Sequence, residues 1–125
     1  MAGENVLIVE DNALNMKLLR DVLAAKGYAT LEATTGARAL ELAQQHAPDV
    51  ILMDVQLPDV DGVEVLRGIR TDARTASLPV VAVTAQAMDG DRDRFLRAGF
   101  DAYLAKPLDV SELLDVLRRY SASAA

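Results

Sequence analysis

The stretch DVILMDVQLPDVDG, residues 49–62, contains the strongest fold signal in the chain. Residues 50–53 are all apolar and show no alternation with polar side chains. A strand that is apolar on both sides is typical of a parallel sheet covered by helices on both faces. After Asp54 the stretch contains Pro58 and Gly62, which are residues of turns and helix starts. It therefore predicts a buried strand that ends at an acidic residue, then a loop and a helix.

The same pattern repeats on both sides of this stretch. Four more short runs are rich in apolar residues, at 6–9, 28–33, 80–83 and 102–105. Between and after the strands, apolar residues recur at helical spacing. They are Leu14, Leu18, Leu19, Val22 and Leu23, then Ala39, Leu40 and Ala43, then Val65, Leu66 and Ile69, and finally Val110, Leu113, Leu114 and Leu117. Strand and helix alternate five times, which predicts an α/β fold, a (βα)5 doubly wound five-stranded parallel sheet.

The segment 86–98, between the fourth and fifth strands, has few apolar residues and many charged ones. We predict a weakly anchored helix there, either a solvated surface helix or an element that shifts with ligand state.

Length and composition limit the class of protein. The chain has 125 residues, a formal net charge of -6 and no cysteine. We expect one domain over residues 1–125, with a core over about 5–120 and a frayed tail at 121–125. The acidic balance argues against nucleic-acid binding, and the absence of cysteine excludes disulfides and thiolate sites. No apolar run is long enough for a membrane span and no basic secretion signal opens the chain, so we expect a cytoplasmic protein.

Polar residues follow the predicted strands at one edge of the sheet, and they are Glu10, Asp11, Asp54, Thr84 and Lys106. Each alone has a structural explanation, such as a helix cap for Asp11 or Thr84. Ligands of open α/β sheets bind at the carboxyl ends of the strands. Three carboxylates gathered there repel one another unless their pKa values rise or a cation joins them. Mg²⁺ prefers such oxygen ligands, and the Lys106 ammonium suits a phosphoryl group.

Four stretches, VLIVEDNALNMKLL, DVILMDVQLPDVDG, VVAVTA and AYLAKP, resemble in order and spacing the signatures of the response-regulator receiver domain. This CheY-like, flavodoxin-like module is the phosphoacceptor of two-component signalling. The resemblance covers residues 5 to about 120. The sequence of these stretches is most similar to that of single-domain regulators of the DivK type, although receivers carried by hybrid histidine kinases share many of the same residues.

The resemblance implies that Asp54 accepts a phosphoryl group from a histidine kinase or phosphotransfer protein. Asp11 and Asp54 would bind Mg²⁺ through their side chains, and Gln56 would bind it through its backbone carbonyl. Glu10 would act mainly through a bound water. Lys106 would pair with the phosphoryl oxygens.

The resemblance also implies a switch. Thr84 and the amide of Ala85 would bind the phosphoryl group, and Tyr103 would turn inward. The face formed by the fourth helix, fifth strand and fifth helix would then bind a downstream target protein. The bond before Pro107 would be cis. Such a chain, a monomer or weak dimer, would be a signalling protein that catalyses only its own phosphorylation and dephosphorylation.

Three alternatives stay open at this point. The chain could be a receiver excised from a hybrid histidine kinase or longer regulator. It could be a haloacid-dehalogenase-like phosphatase, but that class needs a general acid two residues after the nucleophile, where this chain has Gln56. A flavodoxin-like flavin binder would need a Ser/Thr/Gly-rich phosphate loop, and EDNALN is acidic there.

Overall fold

Five strands alternate with five helices in the computed structural model, which describes residues 5–85, 90–106 and 108–120. The elements are β1 Asn5–Val9, α1 Ala13–Ala25, β2 Ala29–Ala33, α2 Gly36–His46, β3 Val50–Asp54, α3 Gly62–Thr71, β4 Val80–Thr84, α4 Asp91–Ala98, β5 Ala102–Ala105 and α5 Val110–Tyr120. All strand pairs are parallel, in the order β2-β1-β3-β4-β5. The (βα)5 prediction is confirmed, and the order reverses between β1 and β3.

The sheet has a hydrophobic core on each face. Leu7, Ile51 and Ala82 point to one face, which α2, α3 and α4 cover. Ile8 and Leu52 point to the other, which α1 and α5 cover. Because neighbouring residues of a strand point to opposite faces, both must be apolar when both faces are covered. This explains the unbroken apolar runs of β1, β3 and β4, in which every residue of β3 and β4 is buried.

Local signals fix several helix ends. Gly27 has a φ of 90° just after α1, in the left-handed region that glycine adopts without steric cost. Asp61 caps α3 by accepting a hydrogen bond from the Val63 amide at 2.8 Å. Asp109 accepts one from the Glu112 amide at 3.1 Å, before α5. Each residue is of a type that favours its position, glycine after a helix and aspartate before one.

Three apolar residues that fit the helical spacing lie at the surface. Leu14 and Leu18 of α1 are 64% and 55% exposed, and Val110 of α5 is 45% exposed. The core side of α1 consists of Met16, Leu19 and Leu23, so the apolar stripe is wider than the buried face. Among the described helices, none has the length and hydropathy needed to cross a bilayer.

The helix α4 is short and weakly packed, as predicted. It spans eight residues, and Phe95 is its one buried apolar side chain. It begins after Gly90, whose φ is 86°, and ends before Gly99. The first residues of the predicted segment, 86–89, lie outside the described part of the chain, as do Pro107 and the tail at 121–125.

The edge of the sheet where the strands begin is tied together by Arg70, near the end of α3. Its guanidinium donates to the carbonyls of Leu78 at 2.6 Å and Gly99 at 2.9 Å, and to the Asp101 carboxylate at 2.8 Å. The same carboxylate accepts from the Val80 amide at 2.8 Å. Arg70 therefore joins α3, the start of β4 and the end of α4.

Candidate functional site

The polar strand-end residues meet at the edge of the sheet where the strands end. Glu10 directly follows β1, Asp54 and Thr84 are the last residues of β3 and β4, and Lys106 directly follows β5. Because β1 and β3 are neighbours, Glu10 and Asp54 lie beside the point where strand order reverses. This is the position at which open α/β sheets bind ligands.

Glu10 is a buried carboxylate held by two donors. Its side chain is 2% exposed, and its backbone amide still donates to the carbonyl of Ala33 beside β1. One carboxylate oxygen accepts from the Asn12 amide at 3.1 Å, and the other accepts from Lys106 Nζ at 2.6 Å. Burial raises the pKa of Glu10, and the hydrogen bond from Lys106 offsets this effect only in part. Glu10 is therefore turned into the site and not toward solvent.

Lys106 bridges two carboxylates. Its Nζ lies 2.6 Å from Glu10 Oε1 and 3.1 Å from Asp54 Oδ2. Its backbone amide donates to the carbonyl of Thr84 at 2.8 Å, which fixes the chain as it leaves β5. Burial acts to lower the pKa of Lys106, but the hydrogen bonds to Glu10 and Asp54 outweigh it and leave that pKa raised. The ammonium is therefore charged at neutral pH.

Asp54 is held so that one oxygen faces Lys106. It is 6% exposed, and its other oxygen, Oδ1, accepts from the Gln56 amide at 2.9 Å. Gly62 makes room for this loop, since a Cβ there would lie 2.6 Å from the Cα of Val55. A substituted residue at position 62 would push against backbone that adjoins Asp54.

Asp11 completes an acidic cluster. It is exposed, and one oxygen from each of Glu10, Asp11 and Asp54 lies within 4.8 Å of the others. The Lys106 ammonium neutralises only one of these three charges. Oxygen ligands at this spacing fit a Mg²⁺ ion, which prefers carboxylates and retains several waters. The residues present therefore suit the cation that the sequence predicted.

Thr84 and Ala85 lie farther along the same edge, and Tyr103 lies within β5, beside the middle of β4. Thr84 is buried, and it follows Val83, the residue that pairs with Asp54 in the sheet. It lines an open groove of about 450 Å³ together with Gln56 and Phe95. Ala85 is exposed just beyond it. Tyr103 is half-buried and stacks on Phe95 of α4, with ring centroids 5.9 Å apart and planes 20° apart. It lies beside α4, away from the acidic cluster.

The simpler explanation that Asp11 and Thr84 are helix caps does not hold, because other residues lie at the cap positions. Asn12, not Asp11, caps α1 by accepting from the Asn15 amide at 2.9 Å. Gly90, not Thr84, precedes α4. Asp11 and Thr84 are therefore not needed as helix caps.

Two features could not be identified from sequence reasoning. The pairing of Glu10 with Lys106 joins residues 96 positions apart, and nothing local signals it. Asp59 lies in the loop before α3, yet its carboxylate accepts from the amides of Gly36 and Ala37 in the first turn of α2, in addition to the Thr35 cap of that helix. An aspartate between Pro58 and Asp61 is typical of a turn, but the sequence does not show which helix it contacts.

Comparison with known proteins agrees with this geometry. Residues 6–118 match the family described as the response regulator receiver domain. The chain therefore belongs to the receiver-domain family of two-component signalling, and not to the phosphatases or flavin-binding proteins considered above.

Individual relatives show which receivers this chain resembles in sequence and in structure. The chain is 46% identical over 121 residues to the polar-differentiation response regulator DivK of Brucella ovis, covering 97% of this chain and 98% of the relative. It is 39% identical to the receiver domain of the sensor histidine kinase PA1611 from Pseudomonas aeruginosa, with a TM-score of 0.87 and coverage of 95% and 98%. That crystal structure has a magnesium ion in its active-site cleft. Chemotaxis protein CheY4 of Vibrio cholerae has a TM-score of 0.87 at 28% identity, with coverage of 95% and 99%.

Proposed function

We propose that this protein is a phosphoacceptor switch whose Asp54 takes a phosphoryl group from a histidine kinase or histidine phosphotransfer protein. The observation that carries this proposal is the position of the Asp54 carboxylate, 3.1 Å from the Lys106 ammonium and inside the acidic cluster with Glu10 and Asp11. A carboxylate that is held beside one cation and can share a second is suited to accept a group bearing negative charge.

Mg²⁺ would be held by the side chains of Asp11 and Asp54 and by the backbone carbonyl of Gln56, with Glu10 acting through a water. When bound it supplies positive charge that offsets the negative charge of the phosphoryl oxygens. The magnesium ion in the active-site cleft of the PA1611 receiver supports a magnesium site at the same place here. The contact between Glu10 and Lys106 gives Glu10 a second role, because it aims the ammonium at Asp54.

The transfer itself needs positioning more than covalent help. An oxygen of Asp54 forms a bond to phosphorus while the bond from phosphorus to the donor's imidazole nitrogen breaks, and that nitrogen keeps the electron pair. Lys106 pairs with one phosphoryl oxygen, and Thr84 and the amide of Ala85 bind others. Hydrolysis of the resulting acyl phosphate returns the free Asp54 carboxylate, so both reactions act on the chain's own residue.

A surface next to the acidic cluster suits the phosphate donor. Leu18, Leu108 and Val110 line a mostly apolar groove between α1 and α5, and Glu10 and Lys106 also line it. An apolar surface beside a reactive site is typical of protein docking. We assign the donor to this surface because it is continuous with the Asp54 site, so a bound protein could present its histidine there.

The output would be a change in the face formed by α4, β5 and α5. Thr84 lines one groove with Phe95, and Phe95 stacks on Tyr103. A phosphoryl group that draws Thr84 toward itself would change the packing of Phe95 and allow Tyr103 to turn inward. A downstream target protein would distinguish the two states by this face, with the receiver acting as a monomer or weak dimer.

The decisive experiment measures intact mass after incubation with Mg²⁺ and acetyl phosphate. The wild type should gain one phosphoryl mass, and Asp54→Asn should gain none. Asp49→Asn is the matched control, since Asp49 precedes the other end of β3 and should not affect the gain. A wild type that gains no mass with acetyl phosphate and shows no beryllofluoride-induced shift would falsify the proposal. Turnover of an external phosphomonoester would instead favour the phosphatase alternative.

A further inference from the structure

The loop after β3, residues 55–61, carries Gln56 past the acidic cluster and is fastened at both ends. At its start the Val55 amide donates to the carbonyl of Val83 at 3.1 Å, and the Gln56 amide donates to Asp54. At its end Gln56 forms an isolated antiparallel bridge with Asp61. These contacts fix where the loop begins and ends, but not the middle of the loop.

The middle is held by Asp59, through contacts to another helix. One oxygen of Asp59 accepts from the Gly36 amide at 2.8 Å, and the other accepts from the Ala37 amide at 3.1 Å. These are amides in the first turn of α2, which have no partner within the helix. The hydrogen bond from Gly36, with help from Ala37, holds the pKa of Asp59 below its usual range. Asp59 is therefore ionised and bound to α2 at neutral pH.

The contact is close because residue 36 is glycine. A Cβ at Gly36 would lie 2.5 Å from a methyl carbon of Val60 and 2.6 Å from one of Val65. The loop and α3 therefore pack directly on the backbone of α2. That helix is itself fixed in the core by Ala39 and Leu42, which are 0% and 5% exposed.

We infer that Asp59 is a positioning residue for the metal site. It fastens the loop of residues 55–61, which contains Gln56, to the first turn of α2. This role rests on the proposed function, in which the Gln56 carbonyl binds Mg²⁺. Asp59 touches neither the acidic cluster nor the reacting atoms. Its effect passes through the backbone from residue 59 to residue 56. Without this clamp, the pair of hydrogen bonds from Gly36 and Ala37 to Asp59, Gln56 keeps only its own contacts to Asp54 and Asp61, and its carbonyl is held less firmly toward the site.

The test is a Mg²⁺ titration of the full chain, followed by NMR shifts of the Asp11 and Gln56 amides. Asp59→Ala removes both acceptor oxygens and should weaken Mg²⁺ affinity about tenfold, the lower end of the range for residues that support metal ligands. Asp59→Asn keeps one acceptor oxygen, so its Mg²⁺ affinity should lie between those of the wild type and Asp59→Ala. The matched control is Asp49→Asn, because Asp49 also accepts a backbone hydrogen bond, from Asn5 at 2.8 Å, but at the opposite edge.

Phosphorylation by acetyl phosphate separates positioning from general damage. At saturating Mg²⁺ the Asp59→Ala rate should return to within about twofold of the wild type, since only metal affinity is changed. Hydrogen exchange at Gly36 and Ala37 should be faster in this variant, which confirms that the clamp is open. Faster exchange at Gly36 and Ala37 together with unchanged Mg²⁺ affinity would overturn the positioning role of Asp59 alone. Failure of the wild type to bind Mg²⁺ and gain a phosphoryl group overturns the proposed function as well.

Discussion

Lys106 lies closer to Glu10 than to the proposed phosphoacceptor: its Nζ is 2.6 Å from Glu10 Oε1 and 3.1 Å from Asp54 Oδ2. The ammonium is therefore placed by a residue that does not receive the phosphoryl group. Glu10 is buried and also accepts from the Asn12 amide, so it has a single orientation. The position of Lys106 is thus set before any ligand arrives.

Lys106→Met should lower the free energy of unfolding by about 3 kcal/mol, because Glu10 and Asp54 lose the ammonium that they share while buried. Urea denaturation at neutral pH measures this loss, and added Mg²⁺ should restore part of it. Lys17→Met is the matched control: Lys17 also lies 2.6 Å from a carboxylate, Asp21, but both side chains are more than half exposed. That change should cost less than about 0.5 kcal/mol. Equal losses in both variants would contradict the expectation.

Asp59→Asn should lose its effect on stability as the solution becomes acid. The pKa of Asp59 is held below its usual value of 3.8 by the Gly36 and Ala37 amides. A carboxyl group whose pKa is lowered in the folded state stabilises the fold at pH values above its ordinary, unfolded-state pKa. This stabilisation disappears as the pH falls through the lowered, folded-state pKa. The difference in unfolding free energy between wild type and variant should therefore be largest near neutral pH and shrink below pH 3.8. Urea titrations at several pH values measure it, and a difference that grows on acidification would show the opposite linkage.

Gly62→Ala should destabilise the fold by about 2 to 3 kcal/mol, because its Cβ would lie 2.6 Å from the backbone of Val55. Gly68→Ala provides the contrast within the same helix. A Cβ there would meet only the flexible end of Leu40, at 3.1 Å, and alanine favours the helix interior. Its unfolding free energy should stay within about 1 kcal/mol of the wild type. Thermal or urea unfolding of both variants checks the ranking, and equal effects would contradict it.

Leu18→Asp should reduce phosphoryl transfer from a phosphorylated histidine donor about tenfold or more in kcat/KM, because it places a charge in the proposed docking groove. Transfer from acetyl phosphate should stay unchanged, since a small donor needs no docking surface. Ser77→Asp adds the same charge at the exposed loop before β4 and should leave both reactions unaffected. If Leu18→Asp slowed both donors alike, the docking role of this groove would be rejected.

Amide hydrogen exchange in α4 should change when beryllofluoride occupies the site, because Thr84 and Phe95 line one groove. The Tyr103 ring should change environment at the same time, since it stacks on Phe95. Exchange followed by mass spectrometry and the ring resonances of Tyr103 report these changes. The α1 segment, on the opposite face, serves as the internal reference. Unchanged exchange across α4 would remove the switch from the proposed function.

Much of the fold is predictable because its signals are local. The apolar runs of β1, β3 and β4 reflect burial on both faces, and Gly27 and Asp61 mark helix ends by their backbone chemistry. The edge at which the site forms follows from parallel strand direction, which also brings Asp54 and Lys106 together. These features need no knowledge of distant contacts.

The remaining features depend on distance in space. Leu14 and Leu18 fit the apolar period of α1, yet the core is filled by Met16 and Leu19, and periodicity alone cannot show where a buried face ends. The clamp between Asp59 and Gly36 joins residues 23 positions apart through backbone amides. Backbone donors carry no sequence signal, so the partner of Asp59 could be found only from the folded chain.

The contact from Arg70 to the Gly99 carbonyl also determines how α4 can move. Gly99 follows the last residue of α4, and the same guanidinium is fastened to Leu78 and Asp101. We therefore expect the Gly99 end of α4 to stay in place when the site is phosphorylated, because Arg70 holds it, and the Asp91 end to move more. A rearrangement that begins at Thr84 would then tilt this eight-residue helix about its Arg70-bound end.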